Sequence, residues 1–273
     1  DGGICDDAII FIIAENDYLV VHGSGECRAR LDESAEGKDV TVEFDDDLHN
    51  ISLQGPASVD FLDQYTPIDL PALGYFNQQN TTLFDRPVMI SRTGFSGERG
   101  YELLATAENV VPIWEGIVEN GAAKGITPCS FSGLDKARVE AALLFYPYDM
   151  TADNTPWEVT FGWAVSRKKG NFRGKEAVFA REGQDKINMV GLIADHGDAV
   201  DAGAELLIDG RKVGVVNSPA WSHRMNKSLA LAHVEPGAAA DGTVYQVKGE
   251  TVSCSATASP LPFYDPDKTR PHG

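Results

Sequence analysis

The sequence is short of positive charge: 23 Lys and Arg stand against 41 Asp and Glu in 273 residues, a formal net charge of −18. Phosphate backbones and anionic lipid surfaces are bound by clustered Lys and Arg. The acid excess therefore argues against nucleic acid and against a membrane surface as partners; a salt-rich cytoplasm would select the same excess for solubility. Cysteine is also scarce, with Cys5, Cys27, Cys129 and Cys254 alone, no C-x-x-C pair and no His at metal-ligand spacing. Reduced and mostly buried thiols are expected, and no metal site. The longest apolar run near the start, Ala8–Ala14, is too short to span a bilayer and lacks a basic flank, so the expected location is cytoplasmic. No G-x-G-x-x-G and no Walker lysine is present.

A composition of 42% hydrophobic and 9% aromatic residues is that of a globular chain. The first 54 residues read as strands joined by turns: Ala8–Ile13, a turn at Glu15-Asn16-Asp17, Tyr18–His22, Val40–Phe44 and Ile51–Leu53. The Asp45-Asp46-Asp47 run between two of these, with no second ligand cluster, reads as a solvated face. A short helix follows over Ala57–Gln64, then strands at Leu83–Phe84, Val88–Ser91 and Tyr101–Ala105. Helical spacing of Val110, Val111, Ile113, Trp114, Ile117 and Val118 predicts a helix over Ala107–Asn120, and a second covers Ser132–Leu144. Beyond Lys175–Arg181 the texture changes to short alternating strands with Gly turns, among them the Asp209-Gly210 hairpin signal. The expected organisation is an α+β region over 1–184 and a small β-barrel over 185–273.

Two clusters could carry chemistry. Asp6 and Asp7 sit between a Gly-Gly turn and an apolar strand, and alternation along a strand would turn one of them inward. Such a carboxylate either caps a turn or keeps a raised pKa and serves a ligand. In Ser91-Arg92-Thr93-Gly94-Phe95-Ser96-Gly97-Glu98-Arg99-Gly100-Tyr101-Glu102, aromatics and glycines could wall a flat ring whose N–H groups Glu102 would accept, or could simply build a hairpin with a surface Glu. The residues leave both alternatives open.

Gly2-Gly3-Ile4-Cys5-Asp6-Asp7, Gln54-Gly55-Pro56, the Ser91–Glu102 stretch, Asp135–Ala141 and Asn171-Phe172-Arg173-Gly174-Lys175-Glu176-Ala177 occur in the order and spacing of the aminomethyltransferase family, the T-protein of the glycine cleavage system, which this chain resembles. Asn217–Ser222 and Lys227–Ala232 are similar to that family's C-terminal barrel.

The resemblance implies two interleaved α+β modules, about 1–53 with 132–184 and 54–131, followed by a C-terminal barrel around a tetrahydrofolate pocket. The family's region ahead of the Gly-Gly-Ile motif lies outside this chain. Asp7, with Asp6 as the adjacent candidate, matches the carboxylate beside the folate nitrogens that carry the one-carbon unit. Glu102 matches the acid on the pterin's donor edge, while Tyr75, Phe95 and Val20 fall on the pterin and aminobenzoate slot. The implied reaction is aminomethyl transfer from a lipoyl carrier protein to tetrahydrofolate. Leu134 and Phe95 depart from the family's Arg and Tyr, as expected of a relative that keeps folate and takes its carbon from another small donor. A methylated sulfonium, amine or aryl ether would be such a donor. A non-catalytic folate-binding relative is the third alternative; that branch carries a Lys-Gly-Cys-Tyr motif, and the matching stretch here, Asn171-Phe172-Arg173-Gly174-Lys175, lacks the Cys.

Overall fold

A computed structural model describes residues 1–23 and 27–273. Their contacts divide them into two compact units, one formed by 1–40 with 142–264 and the other by 41–141 with 265–273. The α+β fold with a closed C-terminal barrel is as expected.

In the first unit, strands β1 (Ala8–Ala14) and β2 (Asp17–His22) form an antiparallel hairpin that turns at Asn16, whose φ is 62°. The register sets Ala8 against His22 and Ile10 against Val20, so Val20 and His22 share one hairpin face. Phe11, on the other face, is buried.

Helix α1 (Cys27–Ala35) was not expected from the sequence, because it buries no residue and so shows no apolar stripe. Polar bonds hold it instead. Arg28 pairs with Asp32 at 2.8 Å, and Arg173 donates to the Arg30 carbonyl, the Ser34 hydroxyl and the Glu33 carboxylate. Conversely, the strand expected over Val40–Phe44 is not formed. Val40 and Phe44 are exposed, and apolar alternation cannot make a strand without a neighbouring edge to pair with.

Glu158 shows how this unit is tied internally. Its buried carboxylate accepts the Thr155 main-chain N–H at 2.7 Å and the Lys186 N–H at 2.8 Å, while its own carbonyl receives the Met189 N–H. Burial raises its pKa, but the bonds from Lys186 and Thr155 outweigh that and hold it below the usual glutamate range. A depressed folded pKa gives stability that is present above the unfolded value and is lost as pH falls through the folded one. Glu158→Gln should therefore cost about 1–3 kcal/mol at neutral pH and flatten the acid limb of urea unfolding measured across pH.

Helix α5 (Lys175–Ala180) precedes the barrel, and its Val178 carbonyl accepts the Trp157 indole N–H at 2.8 Å. The barrel strands are β7 (Asn188–Ala194), β8 (Glu205–Ile208), β9 (Arg211–Ser222), β10 (Lys227–Val234), β11 (Val244–Lys248) and β12 (Ser253–Ser259). They close in the order β10-β7-β12-β11-β8-β9, which leaves no open edge. Asp209 and Gly210, with φ of 51° and 77°, make the hairpin turn whose twist matches the flanking strands. Strand β9 pairs with β8 over Arg211–Val215 and with β10 over Gly214–Ser222. Its extra residue, Asn217, bulges between Val216, opposite Ala232, and Ser218, opposite Leu231, and Pro219 lies beyond Val215, where pairing with β8 has ended. Leu192, Leu206, Val234, Tyr245 and Ala256 fill the interior.

The second unit is a four-stranded antiparallel sheet of order β3-β6-β5-β4, from β3 (Leu48–Gln54), β4 (Gln78–Leu83), β5 (Arg86–Ser91) and β6 (Gly100–Thr106). Helices α2 (Ser58–Leu62) and α3 (Ala107–Gly121) give Phe61, Leu62, Ile113 and Ile117 to its core, against Ile51, Ile90, Tyr101 and Leu103. Helix α4 (Phe131–Glu140) is capped by Ser130, whose side chain accepts the Gly133 N–H. Its Arg138 is buried and paired with Asp135 at 2.8 Å. Among the described residues no helix is long and apolar enough to cross a membrane.

Candidate active site

The Gly-Gly-Ile-Cys-Asp-Asp stretch is shaped by close backbone approach. A side chain on Gly3 would meet the Ala152 carbonyl oxygen at 2.1 Å, and one on Gly2, whose φ is +82°, would meet the Ala177 backbone at 2.9 Å. The Ile4 N–H then donates to the Asn154 carbonyl at 3.0 Å. Only glycine lets the chain lie this close before it delivers the two carboxylates.

Strand β1 begins at Ala8, so Asp6 and Asp7 precede it, and strand alternation does not set their directions as expected. Hydrogen bonds set them. Asp6 Oδ1 accepts the Asp7 main-chain N–H at 2.9 Å, and Asp6 Oδ2 lies 3.0 Å from His22 Nδ1. The Asp6 side chain is only 3% exposed, which makes it the inward carboxylate of the two. The Asp7 carbonyl accepts the Gly23 N–H at 3.1 Å. Burial pushes the Asp7 carboxyl above the usual range, and the neighbouring Asp6 charge pushes it further.

The same surroundings raise the Cys27 thiol, by burial first and then by Asp6 and Cys5. All four cysteines are free, as expected, but none is buried: Cys129 is exposed and the others are half-buried. Cys5, Cys27, Arg30, Lys169 and Arg173 are among the residues lining a cavity of about 610 Å³ in this unit. Among the described residues no group of three or more His, Cys, Asp or Glu is placed to hold a metal ion.

In the second unit, Glu102 projects from β6 opposite Ser91 and Ser52. One oxygen accepts the Asn50 amide at 2.8 Å and the other the Thr93 hydroxyl, which also lies 2.9 Å from the Ser91 hydroxyl. Among the described residues each oxygen thus has one protein partner and keeps a further acceptor position. Tyr75 lies just ahead of β4 and is 41% exposed, with its ring 4.5 Å from that of His272. Burial raises the Tyr75 phenol while the Arg92 charge opposes the rise. Arg92 itself is buried and donates to the Leu73 carbonyl at 3.2 Å and the Gly273 carbonyl at 2.6 Å. Phe95 is half-buried in the Gly-rich connection between β5 and β6.

Asp6, Asp7 and Val20 therefore belong to one unit and Glu102, Tyr75 and Phe95 to the other. Sequence reasoning missed His22, Asn50 and Thr93. The hairpin register would have found His22, since a turn at Asn16 sets it opposite Ala8, beside the two aspartates.

A closed barrel in the same chain as α+β structure, with paired carboxylates behind a Gly-Gly approach, defines the class of this protein as an α+β fold with a C-terminal β-barrel. Residues 1–169 match the GCVT N-terminal domain and residues 188–265 the glycine cleavage T-protein C-terminal barrel domain. The chain belongs to the glycine cleavage T-protein family.

Its relatives differ in what they are named for. The gamma subunit of a heme-dependent oxidative N-demethylase from Ectopseudomonas mendocina is 44% identical over 281 residues, covering 99% of this chain and 74% of that protein. An aminomethyltransferase from Streptomyces avermitilis is 34% identical over 277 residues, covering 97% and 74%. A trimethylamine-oxide aldolase from Ruegeria pomeroyi is 32% identical over 292 residues, covering 99% of this chain and 36% of that protein. The crystal structure of glycine cleavage system aminomethyltransferase T from Bartonella henselae shares the fold, with a TM-score of 0.84 at 23% identity over 97% of this chain and 73% of that one.

Proposed function

We propose that this chain is a tetrahydrofolate-dependent one-carbon transferase that captures the carbon of an N-methyl group at the oxidation level of formaldehyde. The observation that carries this reading is its 44% identity, over nearly its whole length, to a subunit of an oxidative N-demethylase. Oxidising an N-methyl group releases its carbon as formaldehyde, and the trimethylamine-oxide aldolase relative is named for chemistry on the same kind of donor. Leu134 and Phe95, where the glycine-cleavage pattern has Arg and Tyr, support a changed donor.

The residues present fit a reduced folate. Glu102 keeps acceptor positions on both oxygens for the N–H edge of a pterin, and Tyr75, in the same unit, offers a partly exposed aromatic face. When bound, tetrahydrofolate supplies two amine nitrogens that can share one carbon. Asp7 is assigned to accept a hydrogen bond from the attacking amine and so orient it, which a partly desolvated carboxylate does well. Val20 is assigned to line the slot, and the demethylase that supplies the carbon is the proposed partner.

Aminomethyl transfer from a lipoyl carrier is the second reading, favoured by the 34% identical aminomethyltransferase. The two separate on one experiment, in which tetrahydrofolate is offered ¹³C-formaldehyde or an aminomethylated lipoyl carrier. Formation of ¹³C-methylenetetrahydrofolate faster than the spontaneous condensation supports the first reading; ammonia release from the carrier alone selects the second. Glu102→Gln should weaken tetrahydrofolate binding by about 1.5–3 kcal/mol in a calorimetric titration, because a charge-assisted bond is lost and the new amide presents donors to donors.

A further inference from the structure

We propose that His22 is the proton-handling residue of this site, held by Asp6 so that its Nε2 serves as the base and acid of the carbon transfer. This rests on the proposed folate reaction and deepens it. The geometry begins with Asp6, whose side chain is 3% exposed and whose two oxygens both accept: Oδ1 from the Asp7 N–H at 2.9 Å and Oδ2 at 3.0 Å from His22 Nδ1. An ionised carboxylate is acceptor-only, so the proton of this contact sits on Nδ1. That leaves the Nε2 lone pair free to take a proton, and among the described residues Nε2 has no hydrogen-bond partner.

The side chain is placed for the work. It is 29% exposed, lies at the end of β2 on the hairpin face that carries Val20, and follows the turn that brings it back to the two aspartates. Asp6 is the charged group in contact with it; beyond Asp6, the neighbouring Cys5 and Cys27 face a cavity that Arg30, Lys169 and Arg173 also line. A carboxylate that fixes an imidazole's tautomer and stabilises its protonated form is the arrangement that lets one side chain act first as base and then as acid.

The proton balance of the reaction asks for such a group. Capturing formaldehyde between two amine nitrogens forms two C–N bonds and breaks both bonds of the C=O group. The oxygen leaves as water with the two protons the nitrogens give up, and nothing is oxidised or reduced. His22 Nε2 takes a proton from nitrogen and hands it to the departing oxygen, which returns the imidazole to its starting state.

The test has two arms. In the ligand-free protein, long-range ¹H–¹⁵N correlation spectra at mildly alkaline pH, assigned by the signal that His22→Gln removes, should show the proton on Nδ1 and a bare Nε2, a preference that Asp6→Asn abolishes. In turnover, His22→Gln should slow ¹³C-methylenetetrahydrofolate formation about 10²–10⁴-fold with unchanged tetrahydrofolate affinity. A wild-type His22 protonated on Nε2 would overturn the proposal, as would a His22→Gln protein that turns over at the wild-type rate. Wild-type protein that does not accelerate the reaction at all sinks the proposed function instead, and the tautomer measurement still decides the dyad.

Discussion

Asp7→Asn is expected to lower folate-dependent turnover by about 10²-fold or more while the protein stays folded. The carboxylate stands partly desolvated beside Asp6, and burial before charge is what raises its pKa. As an acceptor it can hold an amine in one orientation, whereas an asparagine presents an oxygen or an amide nitrogen with little to choose between them. Stability should respond with the opposite sign. A carboxyl whose folded pKa is raised favours the fold most below its unfolded value, near about pH 4, and that contribution is lost as pH rises through the folded value. The substitution removes a charge that the fold accommodates poorly, so Asp7→Asn should be at least as stable as wild type at neutral pH and should show a flatter decline between mildly acidic and neutral conditions. Urea unfolding across that range, run beside turnover, checks both halves. Normal turnover would remove Asp7 from the mechanism.

The second large effect is expected from Gly3→Ala, which touches no ligand. An added Cβ would sit 2.1 Å from the Ala152 carbonyl oxygen, and that neighbour is backbone, so relief requires the chain to move at one place or the other. Overpacking of this kind costs about 1–3 kcal/mol. The movement would fall three residues before Asp6, on the segment that the Ile4 to Asn154 hydrogen bond holds in register. Turnover should therefore fall together with the thermal midpoint, and the Asp6–His22 contact should be lost in the same variant. The size of the turnover loss separates placement from mere instability, because a protein assayed well below its unfolding temperature would otherwise keep its rate. Unchanged activity in Gly3→Ala would mean that the Gly-Gly approach does not position the carboxylates.

Much of the scaffold was legible because it follows local rules. Apolar alternation and the Asp209-Gly210 turn gave the barrel strands, and helical spacing from Val110 to Val118 gave α3 nearly to its ends. What was not legible depended on partners distant in sequence. Helix α1 has no apolar face to announce it and relies on Arg173, some 140 residues on. Val40–Phe44 carries a strand's pattern but pairs with no strand among the described residues, and the bulge at Asn217 that shifts the pairing of β9 with β10 has no local signal.

The candidate site divides in the same way. The motifs singled out Asp6, Asp7 and Glu102 as residue types, yet their surroundings are tertiary. His22 meets Asp6 across a hairpin, and Glu102 is held by Asn50 from β3 and Thr93 from the β5–β6 connection. Strand register decides these contacts, and a one-residue slip would undo them.

The most direct test of the account is a calorimetric titration of the protein with tetrahydrofolate, with Glu102→Gln titrated alongside. The account predicts saturable binding to the wild type and an affinity at least about tenfold weaker in the variant, the equivalent of 1.4 kcal/mol. No binding to the wild type, or equal binding to both proteins, would contradict it.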